Sequence, residues 1–163
     1  MTLYQSAKNT IMKIYYMIDV KIKKLDPNAI LPFYATDGSA GMDVTAIGRE
    51  YDNTNDCWIY HTGLAFQLPK DHVMLIFPRS SNRKTDFYLA NHVGILDSDY
   101  TGELMLIYKC RDFKAYELSN PPYNVGDRVG QIIVLPYPKI NFIEVDNLDC
   151  TERGSGGFGS TGA

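Results

Sequence analysis

The stretch GILDSDYTGELMLIYKC, residues 94–110, carries the pattern from which we infer the fold. Residues 103–110 form an apolar run of strand length, rich in residue types that favour β structure. The run is preceded by residue types that favour turns, namely Ser98, Asp99, Thr101 and Gly102. The pattern therefore predicts a β-hairpin from Gly94 to Leu104. Asp97 and Asp99 would point to one face if its first strand persists that far.

Short apolar runs of the same kind recur along the chain. They are MIDVKIKKL, CWIY, GLAFQL, HVMLIF, RVGQIIVLPY and INFIEV. Turn-forming segments such as TDGSAG and NPPYNVGD separate them. This alternation predicts an all-β protein, a sandwich or a jelly roll. The one candidate helical turn is SSNRKT, residues 80–85, which is short enough to be a loop.

The length of 163 residues is typical of one domain. The only shift in composition falls at Arg153, where the segment RGSGGFGSTGA begins. Its five glycines favour a flexible arm. We therefore expect a β body at residues 1–152 and a Gly-rich C-terminal arm at residues 153–163.

Charge and cysteine usage restrict the setting of the protein. A net charge of -3 argues against a nucleic-acid or anionic-membrane surface. The three cysteines, an odd number without a C-x-x-C pair, predict reduced core thiols and an intracellular, soluble protein. The apolar run IMKIYYMI is interrupted by Lys13 and matches neither a signal peptide nor a membrane span.

Three polar stretches stand where a β core does not need them. DGSAGMDV places Asp43 at the second position of a strand, and FPRSSN places Arg79 beside two hydroxyls at a strand end. GILDSDY adds the two acids already described. Each stretch alone also fits a structural role, as a glycine turn, a solvated strand end or a turn rich in acids.

Together, five segments change this interpretation. In chain order, SAGMDV, PRSS, LANHVGILDSDYTGEL, VGDRVGQIIV and RGSGGFGSTG resemble the five ordered motifs of the trimeric deoxyuridine triphosphatases, the dUTPases. The resemblance extends from about Ser39 to the C-terminus. It implies a jelly-roll-like homotrimer that hydrolyses dUTP to dUMP and pyrophosphate with Mg²⁺, at sites shared between subunits.

The resemblance also implies roles for individual residues. Asp97 is the general base that activates the attacking water. Uracil contacts are expected from the backbone of Gly94, Ile95 and Leu96, from Met105, and from the side-chain amide of Asn91. Backbone groups cannot rotate to suit cytosine, which reverses the pattern of donors and acceptors. Tyr100 is expected to pack under the deoxyribose, where a 2′-hydroxyl would collide.

The phosphates, the metal and the arm follow in the same way. Resemblance assigns the phosphates to Arg79, Ser80, Ser81 and Gln131. Asp43 is associated with Mg²⁺ through its water shell, although a role in capping the preceding glycine turn is the alternative. The arm is expected to close over the nucleotide, with Phe158 stacking on uracil and phosphate contacts from Arg153, Ser160 and Thr161.

Two other functions fit parts of the pattern. A dCTP deaminase of the same fold would need a carboxylate beside the base, where this chain has the uracil pattern. A single-stranded nucleic-acid binder would fit a Tyr-rich β protein with Arg, Gly and Phe in its tail. The negative net charge and the single tail arginine argue against the binder, so we expect no stable nucleic-acid binding.

Overall fold

The computed structural model describes residues 17–111 and 121–157. In this part of the chain the strands are β1 Lys21–Lys24, β2 Met42–Thr45, β3 Gly48–Asp52, β4 Cys57–Gln67, β5 His72–Phe77, β6 Phe87–Leu89, β7 Gly94–Leu96, β8 Glu103–Cys110 and β9 Arg128–Pro136. A 3-10 helix covers Ser80–Lys84, which confirms the predicted helical turn.

The strands form two antiparallel sheets. In the first sheet the order is β1-β4-β8-β6, and β3 also pairs with β4. In the second sheet the order is β2-β9-β5-β7. The predicted all-β, jelly-roll-like fold is therefore confirmed.

The core lies between the two sheets and follows the alternation of side chains along each strand. In β8, Leu104, Leu106 and Tyr108 are buried, whereas Met105 and Ile107 are more than a third exposed on the opposite face. From the other sheet, Val129 and Ile132 of β9 complete the core. Hydrophobic burial on this scale is what holds two small sheets together.

The predicted hairpin at residues 94–104 is wrong. β7 pairs with β5 in the second sheet, whereas β8 pairs with β4 in the first. The six residues 97–102 thus cross from one sheet to the other, and packed sheets lie about 10 Å apart. Turn residues indicate that the chain reverses, but they do not specify which strand becomes the partner.

The runs CWIY and GLAFQL belong to one strand, β4, which continues through a bulge between them. The register against β8 shifts between His61 and Ala65, and Gly63 between them has a φ of 64°. A left-handed backbone of this kind favours glycine. The glycine that separates the two runs in sequence therefore bends β4 without ending it.

The last predicted strand, INFIEV, is absent from the described chain, where β9 ends at Pro136. Residues 138–150 have no strand assignment, and Phe142 in this segment is 89% exposed. Cys57 is buried and Cys110 is partly buried, whereas Cys150 is exposed and is not the core thiol we expected. None of the helical structure in residues 17–111 and 121–157 has the length and hydrophobicity that a membrane crossing requires.

Candidate active site

A pocket of about 720 Å³ lies where β5 ends, beside the glycine-rich segment that precedes β2, and we call it the polar pocket after the charged and polar side chains in its lining. Four of the predicted site residues line it, namely Asp43, Arg79, Ser80 and Gln131. β9 lies between β2 and β5, and its Gln131 is the register partner of both Asp43 on β2 and Phe77 on β5. The sheet order therefore gathers residues from three distant parts of the sequence.

Asp43 is the central charge of this pocket. Its Oδ1 accepts a hydrogen bond from Arg79 Nε at 2.8 Å, and its Oδ2 accepts one from an Arg128 guanidinium nitrogen at 2.8 Å. The residue is only 8% exposed, so the pairing compensates a buried carboxylate. One negative and two positive charges leave a net positive charge, which suits an anionic ligand.

Arg128 is a site residue that the sequence analysis missed. It begins β9 within the segment GDRVG, and Thr45 is its register partner on β2. A signal was available, because an arginine starts an otherwise apolar strand inside one of the five motif segments. Its partner Asp43 becomes evident only once β2 and β9 are paired.

Gln131 is held in place by its neighbours. Its amide nitrogen donates to the Pro78 carbonyl at 3.1 Å. Its amide oxygen faces Gly41, where an added Cβ would lie 3.0 Å from that oxygen. Glycine at position 41 therefore leaves the room that the Gln131 side chain occupies.

The two serines of the 3-10 helix differ in their surroundings. Ser80 is exposed and lines the polar pocket, whereas Ser81 is partly buried and forms a hydrogen bond with Tyr123. Burial raises the pKa of the Tyr123 phenol, and its hydrogen bonds with Tyr108 and Ser81 oppose that rise. The Tyr123 hydroxyl also donates to Asn82 at 3.1 Å, which fastens the helix to the loop before β9.

A second pocket, of about 290 Å³, brings together three residues of the predicted uracil set. Asn91, Gly94 and Met105 line it, together with apolar side chains from neighbouring strands. A Cβ at Gly94 would lie 2.9 Å from Ile76 Cδ1 and 3.2 Å from the Asn91 amide nitrogen. This pocket therefore has apolar walls and one amide, and a side chain at position 94 would collide with Ile76 and Asn91.

Two further residues of the uracil set, Ile95 and Leu96, continue β7 beside this pocket but do not line it. Ile95 is 67% exposed and Leu96 is buried. Each pairs through its backbone with β5, at Leu75 and Met74 respectively.

The turn after β7 contains Asp97 and Tyr100. β7 ends at Leu96, so the strand does not persist to Asp97 and Asp99, and the condition under which they would share a strand face is not met. Asp97 is exposed, and its carbonyl accepts the Tyr100 N–H at 3.2 Å. The Tyr100 hydroxyl donates to the Glu103 carbonyl at 3.0 Å, which fixes the direction of the ring. Neither Asp97 nor Tyr100 lines either pocket.

Only the beginning of the predicted arm belongs to the described residues. Arg153 is exposed, and its Nε donates to the Gly156 carbonyl at 2.9 Å. Phe158, Ser160 and Thr161 lie outside the described residues.

The side chains of this site do not form a set of protein ligands that could enclose a metal ion. Among residues 17–111 and 121–157, no group of three His, Cys, Asp or Glu side chains could hold one. Both oxygens of Asp43 already accept hydrogen bonds from arginines. A carboxylate oxygen can still accept a bond from a water molecule, so Asp43 fits a hydrated ion carried by a ligand.

Comparison with known proteins identifies the family of the chain. The dUTPase family matches residues 27–162 of the chain. A deoxyuridine 5'-triphosphate nucleotidohydrolase of Coxiella burnetii is 42% identical over 156 residues, which cover 90% of this chain and 97% of that protein.

Solved structures share the fold. The dUTPase of Staphylococcus bacteriophage 80alpha with dUPNHPP has a TM-score of 0.74 at 24% identity and covers 89% of this chain and 99% of that one. A mutant dUTPase from phage phi11 of S. aureus, which coordinates a structural Mg(II) ion, has a TM-score of 0.64 at 21% identity and covers 79% and 97%. On the extent of the family match and the identity to its relative, this chain belongs to the dUTPase family.

Proposed function

We propose that this chain hydrolyses dUTP to dUMP and pyrophosphate by in-line attack of water on the α-phosphorus. The observation that carries the proposal is the pocket lined by Asn91, Gly94 and Met105, because β7, which contains Gly94, leads directly to the exposed Asp97. In a member of this family, such a pocket has the size and chemistry for a pyrimidine base. This reaction limits uracil in DNA and supplies dUMP.

We propose that selection of uracil over cytosine depends on backbone groups whose donors and acceptors are fixed in direction. Uracil offers an N3–H donor and two carbonyl acceptors, and cytosine reverses the pattern at N3 and C4. Backbone groups of Gly94, Ile95 and Leu96 would be left unpaired by cytosine, which strongly disfavours dCTP. A deaminase acting on dCTP would need a carboxylate on this pocket, and none of the described residues that line it is acidic.

The triphosphate is proposed to bind in the polar pocket. Arg79 supplies positive charge, and Ser80 and Gln131 supply neutral hydrogen-bonding groups on the same lining. The second arginine on Asp43 leaves the cluster positive, which offsets the acidic character of the chain as a whole. Ser81 faces Tyr123, so we assign it a supporting role at the helix.

Asp97 is proposed to accept a proton from the water that attacks the α-phosphorus, while the bond to the bridging oxygen breaks and pyrophosphate leaves. Position matters more than an unusual pKa, because a general base must lie within hydrogen-bond reach of the water. Mg²⁺ bound to the triphosphate would supply charge neutralisation, with Asp43 touching only its water shell.

We further propose a homotrimer whose active sites are shared between subunits. Among the described residues, the polar pocket and the pocket lined by Asn91, Gly94 and Met105 share no lining residue, and Asp97 lines neither of them. The segment after β9 also exposes large apolar side chains, among them Ile140, Phe142 and Leu148. Exposed apolar surface of this extent marks an interaction site. An arm that closes with Phe158, Arg153, Ser160 and Thr161 would complete each site.

The free thiols of Cys57 and Cys150 support an intracellular location, where thiols stay reduced. The test of the proposed function is pyrophosphate release with dUTP, UTP and the four standard deoxynucleoside triphosphates, with Mg²⁺ present. We expect turnover of dUTP and little of the others. Ammonia release from dCTP would instead support the deaminase, and tight, salt-sensitive binding of oligonucleotides would support the nucleic-acid binder.

A further inference from the structure

The ring of Tyr100 is folded back over Gly102. A Cβ built at Gly102 would lie 2.5 Å from the Tyr100 hydroxyl oxygen and 2.6 Å from Cζ. The hydroxyl itself donates to the Glu103 carbonyl at 3.0 Å. The direction of the ring therefore depends on where the backbone of residues 102–103 is held.

Glu103 is held by its side chain. Oε1 accepts the backbone N–H of Gly63 at 2.8 Å, and Oε2 lies 3.1 Å from Nδ1 of His61. The side chain is 24% exposed, so these bonds are partly shielded from water. A third bond joins the same two strands, because the Thr62 hydroxyl donates to the Leu104 carbonyl at 2.6 Å.

The strand that holds Glu103 is itself rigid at this point. Gly63 has a φ of 64°, and a Cβ there would lie 2.5 Å from Ile47 Cδ1 and 3.0 Å from Asp26 Cβ. Its carbonyl accepts the N–H of Leu25 at 2.8 Å. The bulge in β4 thus directs the Gly63 N–H at Glu103 from a tightly packed position.

His61 has a second carboxylate on its other nitrogen. Nε2 lies 3.6 Å from an oxygen of Glu50, whereas Nδ1 faces Glu103. A proton on Nδ1 is donated to Glu103 both in one neutral tautomer and in the imidazolium. The contact with Glu103 therefore does not require a charged histidine.

We propose that Glu103 is a positioning residue that sets the orientation of Tyr100, and thereby the preference for deoxyribose over ribose. The inference rests on the proposed function, in which Tyr100 packs under the sugar. Glu103 lines neither pocket, so it acts through the ring. With the carboxylate removed, the start of β8 loses two bonds to β4, and the ring can move far enough to admit a 2′-hydroxyl.

The test is a double-mutant cycle on Glu103→Ala and Tyr100→Phe, with Glu103→Gln as the conservative control. For each folded variant, kcat and KM are measured with dUTP and with UTP by pyrophosphate release. We expect Glu103→Ala and Tyr100→Phe each to lower the preference for dUTP about three- to tenfold, the scale of one hydrogen bond. Glu103→Gln keeps an oxygen for the Gly63 N–H and should stay within about twofold of the parent.

The cycle separates positioning from a structural role. If Glu103 acts through Tyr100, adding Glu103→Ala to Tyr100→Phe changes the preference no further. Additive effects, or a lower melting temperature of Glu103→Ala with unchanged preference, would overturn the proposal. Unchanged preference in Tyr100→Phe would show that the bond from the Tyr100 hydroxyl to the Glu103 carbonyl does not set the ring, and would overturn this inference while dUTP hydrolysis by the parent stands. If Glu103→Ala does not fold, His61→Ala removes one of the two bonds and should change the preference in the same direction.

Discussion

Asp43 and Arg79 lie 2.8 Å apart, Oδ1 to Nε, and this bond orients the only guanidinium that lines the polar pocket within the described chain. Arg128 holds the other carboxylate oxygen, also at 2.8 Å. The Asp43 carboxylate is thus held by an arginine on each oxygen, and it holds the guanidinium of Arg79 in one orientation. Because such charge-assisted bonds are short and directional, we expect them to determine how well the phosphates are held.

Asp43→Asn should raise the KM for dUTP by about tenfold or more, since a neutral amide holds Arg79 more weakly than a carboxylate does. Binding of dUMP, which lacks the β- and γ-phosphates, should change less. Steady-state kinetics and dUMP titration check both statements. Arg128→Ala is the matched control, because it leaves the bond between Asp43 and Arg79 in place and should raise KM less. Equal effects of the two variants would contradict an orienting role for Asp43.

Asp97→Asn should bind dUTP like the parent but turn over at least about a hundredfold more slowly, the usual scale for loss of a general base. The asparagine keeps the size of the side chain in an exposed turn, so the fold should be unaffected. Single-turnover hydrolysis measures the chemical step directly. Asp99→Asn, two residues away in the same turn, should remain close to the parent rate. A parental rate for Asp97→Asn would show that another group is the base.

The sequence was most informative where a run of residues decides the local structure. HVMLIF, ELMLIYKC and RVGQIIVLPY are strands β5, β8 and β9, because a long apolar alternation can bury one face only as β structure. GREYD and FYL are strands β3 and β6 that the pattern missed, since a charged or three-residue segment becomes a strand only beside its neighbours.

The candidate site could likewise be predicted only where single segments of sequence determine it, and not where it depends on strand pairing. The motif segments identified Asp43, Arg79 and Gln131, and the structure brings all three to one pocket. The bond between Asp43 and Arg128 connects residues 85 positions apart, so it depends on the pairing of β2 with β9. Likewise, the segment INFIEV has an apolar pattern suited to a strand but finds no strand partner in the described chain.

Gly63→Ala should destabilise the protein by about 3 kcal/mol, the sum of a left-handed backbone for alanine and a steric overlap in a packed site. The added Cβ would lie 2.5 Å from Ile47 Cδ1. Gly38→Ala is the control, because nothing lies within 4 Å of its added Cβ, and it should change stability by less than about 0.5 kcal/mol. Urea unfolding at one fixed protein concentration measures both. Equal stability of the two variants would show that the bulge is not rigid.

Tyr108 should make the folded state sensitive to alkali. It is fully buried, its hydroxyl donates to the Val129 carbonyl at 2.6 Å, and burial raises the pKa of this phenol above its ordinary value of 10.0. Above that pH the unfolded chain releases this proton while the folded chain retains it, so stability falls as the pH rises.

Tyr108→Phe should therefore be less stable than the parent at pH 8, where it lacks one hydrogen bond, by about 1–2 kcal/mol. Between pH 10 and 11 its stability should fall less steeply than that of the parent, by up to about 1.4 kcal/mol per pH unit. Urea unfolding across this range gives both quantities. Parallel curves for the two proteins would show that Tyr108 ionises equally in the folded and unfolded states.

Subunit mixing tests the shared site. A chain truncated after Glu152 keeps all nine described strands and should assemble and bind dUMP, yet hydrolyse dUTP poorly without Arg153 and Phe158. Assemblies of Asp97→Asn chains should also be nearly inactive. When equal amounts exchange subunits, chance places an intact Asp97 and an intact arm from different chains at roughly a quarter of the sites, if the assembly is cyclic and interlocked.

Activity should therefore recover to about a quarter of the parent value, although neither component works alone. Subunit exchange is verified separately, by mass spectrometry of the mixed assemblies, so that a failure to mix is recognised. If the arm instead acted on the Asp97 of its own chain, no site in these mixtures would contain both an intact arm and an intact Asp97, because each chain lacks one of the two. If exchange is verified and no activity returns, active sites shared between subunits are excluded. The proposal that the parent protein hydrolyses dUTP would still stand.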